Sequence, residues 1–201
     1  YTPGMPHAEV DGRKIYYEWH GEERNAEPLV LATGIGGSCR GWLPLQIPEF
    51  SKHHPVLIFD HQGAGGSDDS GDAFSTADLA KDLVGLLDAL GLDQTAVAGI
   101  GIGAWMAAEL AAIYPQRVIK LVLINPIGLW LEDAPGEDPF AQHPMAPTAV
   151  LFSDPENRVK FLLKDATDLD SLVGEMLNLR AGAKFLWPIP DTGVDRRLSR
   201  I

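Results

Sequence analysis

The sequence predicts an α/β protein: a mostly parallel sheet flanked by helices, with a helical cap over the strand ends. Three observations carry that expectation. Four short, nearly continuous apolar runs, at 28–32, 55–59, 95–98 and 119–124, read as strands buried on both faces, the pattern of a parallel sheet covered by helices. Helical patterns alternate with strands along this stretch. After Asn125 the character changes: prolines are frequent and no convincing strand pattern follows.

In chain order, Arg13 to Trp19 alternates loosely, as an antiparallel strand with one solvated face does. The runs at 28–32 and 55–59 follow as buried strands. Ser75 to Leu90 is a helix: Ser75 and Asp78 resemble a capping box, with Asp in place of the usual Glu. Leu79, Leu83, Leu86, Leu87 and Leu90 form its apolar stripe. The run at 95–98 leads into a second helix, Ala104 to Tyr114. There Ala104, Ala107, Ala108 and Ala111 permit close packing and Pro115 marks the stop. The strand at 119–124 closes the series. The expected division is a core over 1–126 and a helical cap over 127–201, with helical segments near 155–164 and 168–186. Trp130, Phe140, Phe152 and Trp187 either line a pocket beneath that cap or form its own core.

Length and charge bound the function. A chain of 201 residues holds one domain with a substantial core and a small lobe. A net charge of -12 repels phosphate backbones and anionic membrane surfaces, so neither nucleic acid nor membrane is an expected partner. The single cysteine, Cys39, cannot form an internal disulfide and fits a reducing compartment. No apolar run reaches membrane-spanning length, and Tyr1 to Glu9 lacks a signal-peptide pattern, so the expected location is cytoplasmic. None of the six histidines has a ligand partner at metal-binding spacing, and no metal site is expected.

The most informative stretch is Val97 to Ala104. It closes an apolar strand, turns on Gly99, Gly101 and Gly103, and opens a small-residue helix. Three readings compete for it. One is the nucleophile elbow G-x-S-x-G, in which a strained strand-to-helix turn lifts a reactive side chain above a sheet. Here its central position is Gly101, so the side chain is absent. The second is a dinucleotide fingerprint, since Gly99, Gly101 and Ala104 satisfy G-x-G-x-x-G/A. That reading wants an acidic residue at the end of the next strand, which instead ends in Asn125-Pro126, and no cofactor is expected. The third is a plain glycine turn that lets a helix approach a strand.

Four segments in order resemble the α/β-hydrolase superfamily, in its cap-bearing branch. Leu29 to Gly37 resembles the strand and loop that form half of the oxyanion hole. Asp60 to Asp68 resembles the D-x-R-G-x-G-x-S-D loop. Ala98 to Ala104 matches the elbow, and Leu121 to Pro126 the strand after it. Thr33 stands where that family usually has His, Gln62 where it has Arg, and Gly101 where it has the nucleophile. Loss of the Arg removes a charge-assisted contact that braces the loop. In the family, two further strands then deliver the acid and the His, and the sequence stops at Ile201 before any such segment.

The resemblance implies that the backbone N–H groups of Ile35 and Ile102 form the oxyanion hole. It implies a hydrolase acting on esters or similar carbonyl substrates, inactive as written. Elsewhere, loss of a nucleophile alone costs roughly a factor of 10⁶ in turnover. The alternative is a non-catalytic member of the same fold that binds a small apolar ligand or a partner. Gly99 to Ala104 also resembles the Gly-rich elbow of the N-myc downstream-regulated proteins, which keep the fold without a working triad. His61 is expected to pack its loop rather than act as a base, and Asp68, Asp69 and Asp72 to form a solvated loop. An unpaired edge at strand 119–124 would favour self-association.

Overall fold

A computed structural model of the chain describes residues 5–34, 38–69, 71, 75–129, 133, 169–187 and 189–199. Six strands form one sheet in the order β1-β2-β4-β3-β5-β6. They are β1 (His7–Val10), β2 (Arg13–His20), β3 (Leu29–Ala32), β4 (Val56–Phe59), β5 (Thr95–Ile100) and β6 (Val118–Ile124). β1 and β2 form an antiparallel hairpin, and β2 runs antiparallel to β4. The pairs β4–β3, β3–β5 and β5–β6 are parallel. The sheet is therefore mixed and mostly parallel, as the apolar runs predict.

β1 was not legible in the apolar pattern. Its signal is Asp11-Gly12, whose φ values of 48° and 76° form the tight connection of a hairpin.

Five helices are described: α1 (Gln46–Phe50), α2 (Thr76–Ala89), α3 (Ile102–Ile113), α4 (Leu169–Leu186) and α5 (Val194–Leu198). The capping box at α2 is complete, with the Ser75 side chain accepting from Asp78 N–H and the Asp78 carboxylate accepting from Ser75 N–H. Leu79, Leu83, Leu86 and Leu87 of α2 are fully buried. They join Val30, Leu57, Val97, Trp105 and Met106 in a core on one face of the sheet. On the other face Leu31, Val56, Ile58 and Ala98 pack with Cys39, Trp42 and Ile47, so neighbouring residues of β3 and β4 serve opposite layers.

The strand at 119–124 departs from the expected two-sided burial. Among the described strands β6 is the last of the sheet, and Ile119, Val122 and Ile124 are 38%, 51% and 39% exposed. Of the expected cap helices, the one at 168–186 is α4, and the one near 155–164 lies outside the described residues. No described helix is long and apolar enough to cross a membrane.

Candidate active site

The carboxyl ends of β3, β4 and β5 lie side by side, and the turn from β5 into α3 stands among them. Gly101 occupies that turn with φ 58° and ψ -115°, a region that glycine enters freely and L-side chains rarely do. It is tied on both sides. Its N–H donates to Ile124 O at 3.0 Å, and its carbonyl accepts from Trp105 N–H at 3.1 Å and Ile127 N–H at 3.3 Å.

The three glycines of the turn do different work. A Cβ at Gly99 would collide with the backbone of Gly103 and Ala104, and one at Gly103 with the carbonyl of Ala32. Those two let α3 press against β5 and β3. A Cβ at Gly101 would meet only Gly34 Cα at 3.8 Å and Ile127 Cδ1 at 3.9 Å, ordinary van der Waals contact. Packing therefore requires glycine at 99 and 103, whereas only the backbone angle favours it at 101. A plain glycine turn supplies no reason for open space at the central residue. An elbow does.

Ile102 is the first residue of α3 and fully buried. A first-turn N–H has no acceptor within its own helix and is free for an oxyanion. Gly34 lies close to the turn, since a Cβ there would stand 3.1 Å from Ile100 O. Its neighbour Ile35, the other expected donor, lies outside the described residues, as do Trp130, Phe140 and Phe152. Trp187 follows α4 and is 61% exposed.

Asp60, at the end of β4, is the buried organiser that the sequence reading passed over. Its Oδ1 accepts from Cys39 N–H at 2.7 Å and its Oδ2 from Gly66 N–H at 2.9 Å. One carboxylate thus ties the turn after the Gly34 loop to the glycine-rich loop 61–68. Ser67 Oγ completes the arrangement, donating to Asp60 O at 2.6 Å and accepting from Tyr16 N–H at 2.9 Å.

His61 is buried, and burial pushes its pKa down, so the ring is neutral. Its Nδ1 lies 3.0 Å from the Gln62 carbonyl and must be the donor there, since a carbonyl only accepts. Burial also pushes the Cys39 thiol up, with the neighbouring Asp60 adding to the effect, which leaves an inert buried sulfhydryl.

The expected weakening at Gln62 is offset from elsewhere. Arg13 of β2 donates to Gln62 Oε1 at 2.6 Å and to Asp82 Oδ1 at 2.5 Å, and Gln62 Nε2 donates to Asp82 Oδ2 at 2.8 Å. The guanidinium here comes from β2, the strand beside β4, and the loop is braced to α2. Burial raises the Asp82 pKa while Arg13 pulls it back.

The acidic loop is not merely solvated. Asp68 bonds the Lys14 backbone through its carboxylate at 2.8 Å, and Asp69 pairs with Lys184 of α4 at 2.5 Å. Asp72 lies outside the described residues. Among the described residues no cluster of His, Cys, Asp and Glu is arranged to hold a metal ion.

The family model for the alpha/beta hydrolase fold matches residues 27–177, most of the chain. The chain belongs to that family. The alpha/beta hydrolase relatives include RutD of Azorhizobium caulinodans, provisionally named a carbamate hydrolase. It is 36% identical over 121 residues, covering 60% of this chain and 44% of RutD. RutD of Caulobacter segnis, with the same provisional name, is 38% identical over 119 residues, covering 58% and 43%. The chain thus spans less than half the length of these relatives.

Among solved structures, the enol-lactonase from Burkholderia xenovorans LB400 superposes with a TM-score of 0.68 at 25% identity, over 89% of this chain and 71% of that one. Est816, described as an N-acyl homoserine lactone degrading enzyme, superposes with a TM-score of 0.57 at 28% identity, over 96% and 70%. These hydrolase relatives agree with the resemblance drawn from the four sequence segments.

Proposed function

We propose that this alpha/beta hydrolase chain holds a small, largely apolar carbonyl compound at the elbow without forming a covalent intermediate at residue 101. One observation carries the reading: Gly101 has the backbone of an elbow and open space for a side chain, yet bears none.

The names of the relatives support the ligand class. A carbamate and a lactone each present a carbonyl carbon bonded to a heteroatom. In this reading the N–H groups of Ile102 and Ile35 receive the carbonyl oxygen, a role that depends on backbone and not on the isoleucine side chains. The same reading makes the segment 127–201 a cap over the ligand. Covalent hydrolysis would need an oxygen at 101, a base and an orienting acid acting together. Gly101 withholds the first of these, and the protein is inactive toward esters by that route. One thiol, buried at Cys39, is compatible with a reducing cytoplasm.

The test compares the parent with Gly101→Ser on p-nitrophenyl butyrate, following p-nitrophenolate release and intact mass. The parent is expected to give no burst and no acyl adduct, and the serine variant to gain mass by one acyl group once an extended chain supplies the base and the orienting acid. Acylation of the parent would refute the reading. A serine variant that stays unacylated, while lactones still raise the melting temperature of both proteins, would favour a purely ligand-binding member of the fold.

A further inference from the structure

The segment 127–201 leaves the sheet after β6 and meets α3 again at 189–199. Both of its ends touch the helix that Gly101 begins. On the outgoing side, Ile127 N–H donates to Gly101 O at 3.3 Å. The next residue, Gly128, has φ 90° and packs against the Trp105 indole, so close that a Cβ would collide with ring atoms Cδ2 and Cε2. On the returning side, Trp105 Nε1–H donates to Thr192 Oγ1 at 3.3 Å, and Thr192 donates onward to Glu109 Oε1 at 2.9 Å. Arg197 of α5 donates to Glu109 Oε2 at 2.5 Å.

Glu109 is fully buried on a helix otherwise made of Ala, Gly, Ile, Leu, Met and Trp. A helix that served only to cover a sheet gains nothing from a buried carboxylate, because an apolar residue of similar volume is commonly at least as stable there. The geometry gives the carboxylate a task. The Thr192 hydroxyl donates to it, which leaves the hydroxyl lone pairs for the Trp105 indole. The indole is thereby fixed, and it is the surface against which Gly128 packs. Ile127, one residue back, bonds Gly101 through its backbone and brings Cδ1 to 3.9 Å from the vacant Cβ position of residue 101.

We propose that Glu109 is a positioning residue for the candidate site. Acting through the Thr192 hydroxyl and the Trp105 indole, it holds Ile127 and Gly128 as one wall of the space over residue 101. The inference deepens the reading of residue 101 as the ligand position and rests on it.

Thr192→Val removes the hydroxyl at nearly constant volume and leaves the Glu109–Arg197 pair in place. Amide hydrogen exchange and the indole Nε1–H resonance of Trp105 are compared by NMR in the parent, Thr192→Val and Thr192→Ser. In Thr192→Val the Ile127 amide should exchange faster by roughly fivefold to tenfold, the loss of about one neutral hydrogen bond's worth of local stability. The indole resonance should shift, amides of Val56–Phe59 should keep the parent rate, and Thr192→Ser should restore both signals. Loosening confined to 189–199, with Ile127 unchanged, would overturn the proposal. So would an equal rise at Ile127 and at Val56–Phe59, which is global loosening. Glu109→Gln, read in the same way, stands as the test if Thr192→Val does not fold. No hydrolysis is measured, so failure here leaves the role of residue 101 intact, and failure of the serine assay leaves the exchange result standing.

Discussion

Placing any side chain at residue 101 should cost stability through the backbone alone. With φ 58° and ψ -115°, an L-residue there occupies a sparsely populated region, at about 1–3 kcal/mol. No steric term adds to this, because the nearest atoms to an added Cβ are 3.8 and 3.9 Å away. For Gly101→Ala the urea midpoint should therefore fall by about 0.4–1.2 M, taking a denaturant slope of about 2.5 kcal/mol per M. Gly103→Ala is the contrast. Its Cβ falls on the Ala32 carbonyl, where no flexible side chain can yield, and its loss should clearly exceed that at 101. Equilibrium urea unfolding followed by circular dichroism measures both. An unchanged or raised midpoint for Gly101→Ala would refute the strained elbow, and a loss equal to that of Gly103→Ala would show that space, not backbone angle, keeps glycine at 101.

Three other outcomes are expected. Arg13→Met leaves the Asp82 carboxylate buried with Gln62 alone and should cost about 2–3 kcal/mol, the low end for a broken buried pair since Arg13 is partly exposed; adding Gln62→Arg should recover part of it by chemical denaturation, and no recovery would count against the shared brace. The Asp69 pKa is lowered, first by its bond to Lys184, so its stabilising effect is present above the unfolded value and is lost as pH falls through the lower folded value. Exchange protection of α4 should accordingly drop below about pH 4 in the parent and be pH-insensitive there in Asp69→Asn. Among the described residues β6 is the last strand of the sheet, with Val122 and Ile124 exposed, so the protein should self-associate, and Val122→Lys should raise the monomer fraction in light scattering; a parent that is monomeric at all concentrations would contradict this.

The sheet and its order of layers were legible because β3, β4 and β5 are buried on both faces and carry almost nothing polar. The α2 helix was legible because its cap and its leucine stripe agree. β1 was missed because its alternation is short, His7-Ala8-Glu9-Val10, and its clearest mark is the turn after it. At the site, the strand-to-helix turn itself was legible from its glycines: Gly101 lies between β5 and α3, and Ile102 opens that helix. The cross-chain bonds could not be read in advance: Arg13 reaching Gln62, Asp60 joining two loops, and Glu109 meeting Thr192 and Arg197 all link residues far apart in sequence. A buried charge on an otherwise apolar helix, Glu109, was the one signal that could have been noticed.

The volume left beside Gly101 has an evolutionary reading. Glycine and serine codons can differ by one base, and a Cβ would enter here without displacing a neighbour. A side chain at this position meets only the backbone cost, whereas one at 99 or 103 would collide with the framework around it. The turn is a socket one point mutation from holding an oxygen.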